Sequence, residues 1–367
     1  MHRRTCLLAL AGLPLTRLLA ADEPAAESTA REVVFAPVLP GRTLVFPDDE
    51  GAHPEFRTEW WYVTGWLDLP DGRPLGFQVT FFRVRTGIGE DNPSAFAPRQ
   101  LILAHAAIAD PELGRLRHDQ RAARSGFGRA GFSTGRAGVW LGDWSFEQIG
   151  DGYRARVDAE DFGYDLAFLP DGPPLLNGQE GFSLKAPGRD NASYYYSRPQ
   201  LTVEGRLTLD GHRQSVAGRA WMDHEWSSAY IPEGADGWDW VGLNLDDGGA
   251  IMAFRMRRTD GGKLWASATL RSPDGSAEHL SLEAVEFEPL RSWKSPRTGI
   301  EYPVEWRLSL GTRRFTLRPL MDDQELESRR STGTIYWEGA MRLLENGREI
   351  GRGYLEMTGY GERIQVG

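Results

Sequence analysis

Short runs in which apolar and polar residues alternate, separated by turn dipeptides, dominate the chain. Leu75 to Arg85, Leu201 to Leu209, Ala250 to Arg257 and Leu264 to Arg271 are such runs, rich in branched and aromatic side chains. Between them stand Asp71-Gly72, Asp171-Gly172, Asp210-Gly211, Asp247-Gly248, Asp260-Gly261, Asp274-Gly275 and Asn346-Gly347, which supply the positive φ angles of tight hairpins. No long stretch of helical periodicity competes with them. The pattern predicts an all-β protein of antiparallel barrels or sandwiches with few helices.

The hydrophobic pattern also repeats. Trp60-Trp61-Tyr62-Val63, then Leu67-Asp68, Asp71-Gly72 and Phe82-Arg83-Val84-Arg85, is echoed by Trp238-Asp239-Trp240-Val241, then Leu245-Asp246, Asp247-Gly248 and Phe254-Arg255-Met256-Arg257. Two hairpins with the same opening and the same close predict a duplication, hence two related halves. On a strand successive residues face opposite sides, so Trp60, Tyr62 and Trp66 share one face while Trp61, Val63 and Leu67 share the other. Both faces are largely apolar. One can line a barrel interior while the other packs against the second half.

Length supports the same division, because a chain of 367 residues exceeds the size at which a single core stops growing. Residues 1–21 have the form of a signal peptide: Arg3 and Arg4, an apolar run from Cys6 to Ala20, then small residues before Glu23-Pro24. Either a twin-arginine or an ordinary secretory signal fits, and both place the protein in the periplasm or outside the cell. The reading is a lead-in over 22–52, a first domain over 53–229 and a second over 230–367. No later segment is long and apolar enough to span a membrane as a helix. The single cysteine, Cys6, lies in the predicted signal, so the mature chain is expected to have no disulfide. Losing Arg3, Arg4 and Arg17 makes the formal charge of -10 three units more negative, which argues against nucleic acid as a partner.

Candidate chemistry is thinner. Gly131-Phe132-Ser133-Thr134-Gly135 matches the G-x-S-x-G elbow, but that device needs a strand-to-helix turn that the pattern does not contain. The seven histidines form no H-E-x-x-H motif, and neither a metal nor a cofactor is expected. In Asp223-His224-Glu225 the carboxylates fall on the face opposite the imidazole, whereas Met222, His224 and Trp226 share a face, making His224 a general-base candidate or a structural histidine. The segment from His53 to Trp60 is either a polar lead-in with Arg57 paired to Glu55 or Glu59, or a charged pocket mouth. Near the C-terminus, Tyr336-x-Glu338 and Tyr354-x-Glu356 flank Asn346-Gly347. A three-residue loop there would pair Leu344 with Arg348 and gather both Tyr-x-Glu pairs on one face, as an outward polar surface or as the lining of an aromatic cavity.

Glu59-Trp60-Trp61-Tyr62, Tyr195-Tyr196-Ser197-Arg198-Pro199, Trp221-Met222-Asp223-His224-Glu225-Trp226, Tyr336-Trp337-Glu338-Gly339 and Gly353 to Tyr360 resemble the AttH-type secreted proteins related to carotenoid 1,2-hydratases. The resemblance runs from about His53 to Tyr360. It implies two lipocalin-like antiparallel β-barrels packed together, and relatives that include hydratases of isoprenoid double bonds, distant fungal cyclases and proteins labelled secreted hydrolases. It also implies a site built on an Asp-His-x-Trp element and an acid on a following strand. Asp223, His224 and Trp226 match the first part, but Ile251 to Arg257 carries no carboxylate, so the acid must come from Glu59, Glu338 or Glu356.

The sequence therefore leads to an exported two-barrel protein that encloses an apolar or amphipathic, isoprenoid or lipid-like molecule. The expected lining is His53, Arg57, Glu59, Trp60, Tyr62, Trp226, Trp240, Tyr336 and Tyr354. The alternative is a hydratase or hydrolase using His224 with Glu338 or Glu356, and a third reading is an accessory that binds another envelope protein.

Overall fold

The computed structural model describes residues 33–361, so the expected signal segment lies outside the described residues. Among the described residues, all regular structure is β apart from two single-turn 3-10 helices. Nine strands position the site: β1 (Thr58–Asp68), β2 (Pro74–Arg85), β3 (Gln100–Asp110), β4 (Ala192–Leu209), β5 (His212–Ala229), β6 (Ala235–Leu245), β7 (Ala250–Arg258), β8 (Ile335–Glu345) and β9 (Arg348–Met357).

Two antiparallel sheets result, one of thirteen strands and one of ten. Strands from Thr58 to Ala229 form the first, and strands from Ala235 to Met357 form the second. The first sheet curls until β3 approaches Gly138–Leu141 from its far side, giving a near-barrel. In the second, Lys263–Arg271 approaches Val285–Lys294 in the same manner.

The repeat is visible in the topology. In the first sheet β1 lies between β2 and β5, and in the second β6 lies between β7 and β9. Trp60 pairs with Phe82 and Trp240 with Phe254, so the structural counterpart of Trp60 is Trp240, and Trp238 lies two residues upstream of it.

Strand alternation in β1 distributes its side chains as its pattern predicts. Trp61, Val63 and Leu67 join Phe77, Val79, Phe81 and Met222 in the core inside the first sheet. Tyr62 and Trp66 join Trp221, Trp240, Met252, Phe254 and Tyr354 in a separate core between the two sheets. A further core, around Trp306, Trp337 and Leu355, fills the second sheet. The inter-sheet layer is tied by Trp66, whose Nε1–H donates to the Gly353 carbonyl at 3.0 Å and whose ring packs against the guanidinium groups of Arg342 and Arg352.

One turn differs from expectation. Asn346 and Gly347 both have positive φ and form a two-residue turn, so Glu345 rather than Leu344 pairs with Arg348. A bulge between Leu343 and Leu344 then shifts the register by one residue. The inserted residue restores the faces: Trp337, Met341, Leu343, Leu355 and Met357 enter the second core, while Glu338 and Glu356 sit opposite each other on the other side.

Gly76 on β2 sits at a close approach of the two sheets. A Cβ there would lie 2.6 Å from the Tyr354 hydroxyl and 2.7 Å from Ala340 Cβ. Gly76→Val is expected to lower stability by about 1–3 kcal/mol through overpacking, read by chemical denaturation.

Candidate functional site

Two polar clusters occupy opposite faces of β1 and β5. The first is inside the barrel. Glu59 pairs with Trp226 and Trp61 with His224 across these strands, which places all four on the interior face. Glu59 is fully buried, yet every part of its charge is answered. Arg83 Nε donates to it at 2.7 Å, His53 Nδ1 at 2.8 Å, His224 Nε2 at 3.0 Å and the His53 backbone N–H at 2.9 Å. Burial alone would raise the Glu59 carboxyl, but the Arg83 charge and the two histidine hydrogen bonds hold it well below the usual range.

The two histidines play different roles. Both ring nitrogens of His53 face carboxylates, Glu59 and, at 2.9 Å, Asp49, so both must donate and the ring is an imidazolium. Burial would lower its pKa; hydrogen bonds and charge from Asp49 and Glu59 outweigh that and raise it. His224 donates from Nε2 to Glu59 and accepts at Nδ1 from the Tyr196 hydroxyl at 3.2 Å. That is a neutral ring, and burial lowers its pKa despite Glu59. His53 stacks on Trp226 with centroids 3.8 Å apart, and His224 stacks on Trp61 at 4.7 Å. His53, Glu59 and His224 offer ligand atoms within 4.8 Å of one another, the spacing of a metal site. The fixed charge of Arg83 on Glu59 opposes a cation there, and the donors present already saturate the carboxylate.

The second cluster faces the other sheet. Between the sheets lies a cavity of about 710 Å³. The first sheet supplies Trp60, Tyr62, Phe82, His105, Asp223 and Glu225 to its wall, and the second supplies Trp238, Trp240, Tyr336, Glu338 and Glu356, with Tyr230 from the connection. Asp223 accepts from the Tyr195 hydroxyl at 2.6 Å, Ser197 Oγ at 2.6 Å and Trp221 Nε1 at 2.7 Å. Burial nevertheless pushes its carboxyl up to about 7. Glu225 is paired with the buried Lys185 ammonium at 2.6 Å and also accepts from Ser193.

Glu338 and Glu356 face each other directly across β8 and β9. Glu356 keeps one donor, Trp238 Nε1 at 3.2 Å, and burial together with the Asp223 and Glu225 charges sets its carboxyl at about 7. Neither oxygen of Glu338 has a donor at normal hydrogen-bond length, and the Tyr62 and Gln78 side chains beside it only partly offset its burial. Burial and the neighbouring Glu356 push it well above the ordinary carboxylate range. Two acids so placed cannot both ionise at neutral pH without strong mutual repulsion.

The expected site residues therefore divide. Trp60, Tyr62, Trp240, Tyr336, Glu338 and Glu356 come together in the cavity, and Tyr354 is sealed beside them in the inter-sheet core. His53, His224 and Trp226 are brought together inside the barrel instead, so His224 does not join Glu338 and Glu356 as the catalytic reading required. Glu59 borders the cavity through its strand while its carboxylate serves the interior network. The partner of Glu59 is Arg83 rather than Arg57, whose guanidinium lies 4.6 Å from the centre of the Phe35 ring. Ser133 follows the short strand Ala130–Phe132 and leads into a bend with no helix after it, so no nucleophile elbow exists at Gly131 to Gly135.

Sequence reasoning passed over Asp223 and Glu225 as site residues, although their alternation opposite His224 already placed them on the shared cavity face. Lys185 and His105 gave no such signal. A second cleft of about 730 Å³, on the far side of the Trp66 layer, is bordered by turns and exposed ions such as Asp171, Arg219, Arg271 and Glu349. It lacks the convergent buried groups of the cavity.

The model of the AttH-like family matches residues 37–360. The chain belongs to the AttH-like family. A solved AttH-like structure, from Nitrosomonas europaea, is 50% identical, covers 89% of this chain and 100% of its own, and superposes with a TM-score of 0.84. Kievitone hydratase from Nectria haematococca shares the fold at 16% identity, with coverage of 89% and 95% and a TM-score of 0.65. CghA does so at 15% identity, with coverage of 91% and 97% and a TM-score of 0.54. A search of the curated proteins gives no match.

In this AttH-like protein the interior network makes a stability prediction. Glu59, with its lowered pKa, stabilises above its unfolded value near ~4.3 and loses that contribution as pH falls. His53, with its raised pKa, stabilises below its unfolded value near ~6.5 and loses its contribution as pH rises through the folded value. Glu59→Gln is expected to cost about 3 kcal/mol, with the gap to wild type widest between about pH 4.5 and 6.5 and narrowing on both sides, as read by urea melts across pH.

Proposed function

We propose that this AttH-like protein encloses an apolar or amphipathic organic molecule, of isoprenoid or lipid-like size, in the cavity between its two sheets. The observation that carries this reading is the cavity itself: about 710 Å³, walled by Trp60, Tyr62, Phe82, Tyr230, Trp238 and Trp240. Burying roughly 300 Å² of apolar ligand surface at about 25 cal/mol per Å² yields ~7 kcal/mol before association costs, which suffices for micromolar binding. Export by the segment 1–21, read from sequence, would place that binding in the periplasm or outside the cell.

A second reading, acid–base chemistry on a carbon–carbon double bond, is favoured by the carboxyl pair Glu338 and Glu356. Hydration needs a carboxylic acid that is protonated near neutrality and faces an apolar volume, and aromatic faces that hold the cation formed. The proton passes from the acid to one alkene carbon, water oxygen bonds to the other carbon, and the surplus proton of that water returns to the carboxylate. The net change is the addition of water. The fold shared with kievitone hydratase supports this reading without naming a substrate for the present chain.

Tryptophan fluorescence tests the first reading. A panel of isoprenoids, fatty acids and lipids is expected to include ligands that quench it, with affinity falling at least tenfold in Trp60→Ala and Trp238→Ala; no response to any of them would remove its support. For the second, turnover of any alkene substrate should decline as pH rises through about 7, where Glu356 loses its proton. Glu356→Gln should lower that turnover on the order of 100-fold or more. A rate that is flat across this range would contradict the role of the pair.

A further inference from the structure

We propose that the cavity selects organic cations, amines on an apolar skeleton, and rejects carboxylate-bearing ligands of the same shape. This deepens the binding reading above and rests on it. Four carboxyl groups, Asp223, Glu225, Glu338 and Glu356, face one cavity. The basic groups nearest them are each held by an acid of their own, Lys185 by Glu225 and Arg83 by Glu59. His105, the imidazole on this wall, is bound by the Tyr336 hydroxyl at 2.6 Å and Ser331 Oγ at 2.7 Å, and burial keeps it neutral. Asp223 shares the Lys185 charge with Glu225, and Glu338 and Glu356 are paired with no cation.

A second observation, the unfilled bonding capacity around Glu338, points to the same place. The Tyr62 hydroxyl, 6% exposed as a residue, faces the cavity beside Glu338 without closing a hydrogen bond of normal length, and the Tyr354 hydroxyl behind it closes none either. Glu338 is 2% exposed and has no donor at normal hydrogen-bond length on either oxygen. Buried polar atoms in such number are costly unless a donor reaches them. An ammonium brings three N–H donors and no acceptor, which matches two carboxylates and a hydroxyl. The aromatic wall suits the same group: Tyr230, perpendicular to Trp60 at 4.9 Å and to Trp238 at 5.6 Å, already has the Lys185 ammonium 5.0 Å from its ring centre. A ligand carboxylate would instead add another negative charge to an acidic cavity.

The ligand enters as R–NH₃⁺, the proton held by the Glu338–Glu356 pair leaves to solvent, and the charge of the filled site equals that of the empty one. No such release accompanies a neutral ligand.

Geranylamine, geraniol and geranate share one carbon skeleton and differ in the polar group. Titration of the full mature chain near neutral pH, followed by tryptophan fluorescence, is expected to rank them in that order, with at least tenfold between amine and alcohol and no measurable binding of the carboxylate. Calorimetry in two buffers of different ionisation enthalpy should show proton release with the amine alone. In Glu338→Gln and in Glu338→Gln/Glu356→Gln, the amine-to-alcohol affinity ratio should fall towards one. An amine that binds no tighter than geraniol, or a ratio unchanged in both variants, overturns the inference and leaves the binding cavity standing. If none of the three compounds binds, the inference and the cavity reading fall together.

Discussion

Neighbouring residues on a β-strand point to opposite sides, and in β1 both sides are buried. That constraint organises the molecule. A strand with one wet face could close a single barrel, but β1 carries Trp61, Val63 and Leu67 into the first core and Tyr62 and Trp66 into the layer between the sheets. The second sheet is thus required by the first, which otherwise would expose a band of large aromatics. β5 obeys the same rule beside it: His224 and Trp226 turn inward, while Asp223 and Glu225 turn towards the cavity. One register defines two sites.

The two sites treat buried charge in opposite ways. Inside the barrel Glu59 is ionised and compensated, by Arg83, by the His53 imidazolium and by the neutral His224. Such a cluster holds the lead-in segment around Asp49 and His53 against the barrel and has no unused bonding capacity on its carboxylate. In the cavity the acids are crowded and undercompensated, and burial lifts Asp223 and Glu356 to about 7 and Glu338 well above the ordinary range. Perturbed groups that converge on an apolar volume mark a functional site better than perturbed groups that satisfy one another. The architecture of an AttH-like fold does not by itself name a reaction, and the case for one rests on the carboxyl pair.

Local pattern carried much of this. Hairpins announced themselves through Asp-Gly and Asn-Gly dipeptides, and the double-sided apolar character of β1 was legible from Trp60 to Leu67. The gathering of Tyr336, Glu338 and Glu356 on one face was legible too, although through a different device: a two-residue turn plus a bulge, where a three-residue loop was expected. A bulge leaves no mark in hydrophobic alternation when its residue sits near a turn. What local pattern could not carry was pairing at long range. Glu59 meets His224 across 165 positions, Lys185 reaches Glu225, and Arg83 displaces Arg57 as the Glu59 partner because it lies beside Glu59 in the register of β1 and β2. The placement of His224 away from the cavity acids follows from β1 and β5 pairing, which no single strand reveals.

The central claim is that the inter-sheet cavity, rather than either barrel interior or the charged cleft beyond Trp66, receives the ligand. A crystal soaked with a brominated isoprenoid alcohol tests it most directly, because the anomalous signal of bromine locates the molecule without assumption. The account predicts a single strong peak among Trp60, Trp238 and Glu338. A peak inside the first barrel near His224, or only in the cleft lined by Asp171 and Arg271, would contradict it.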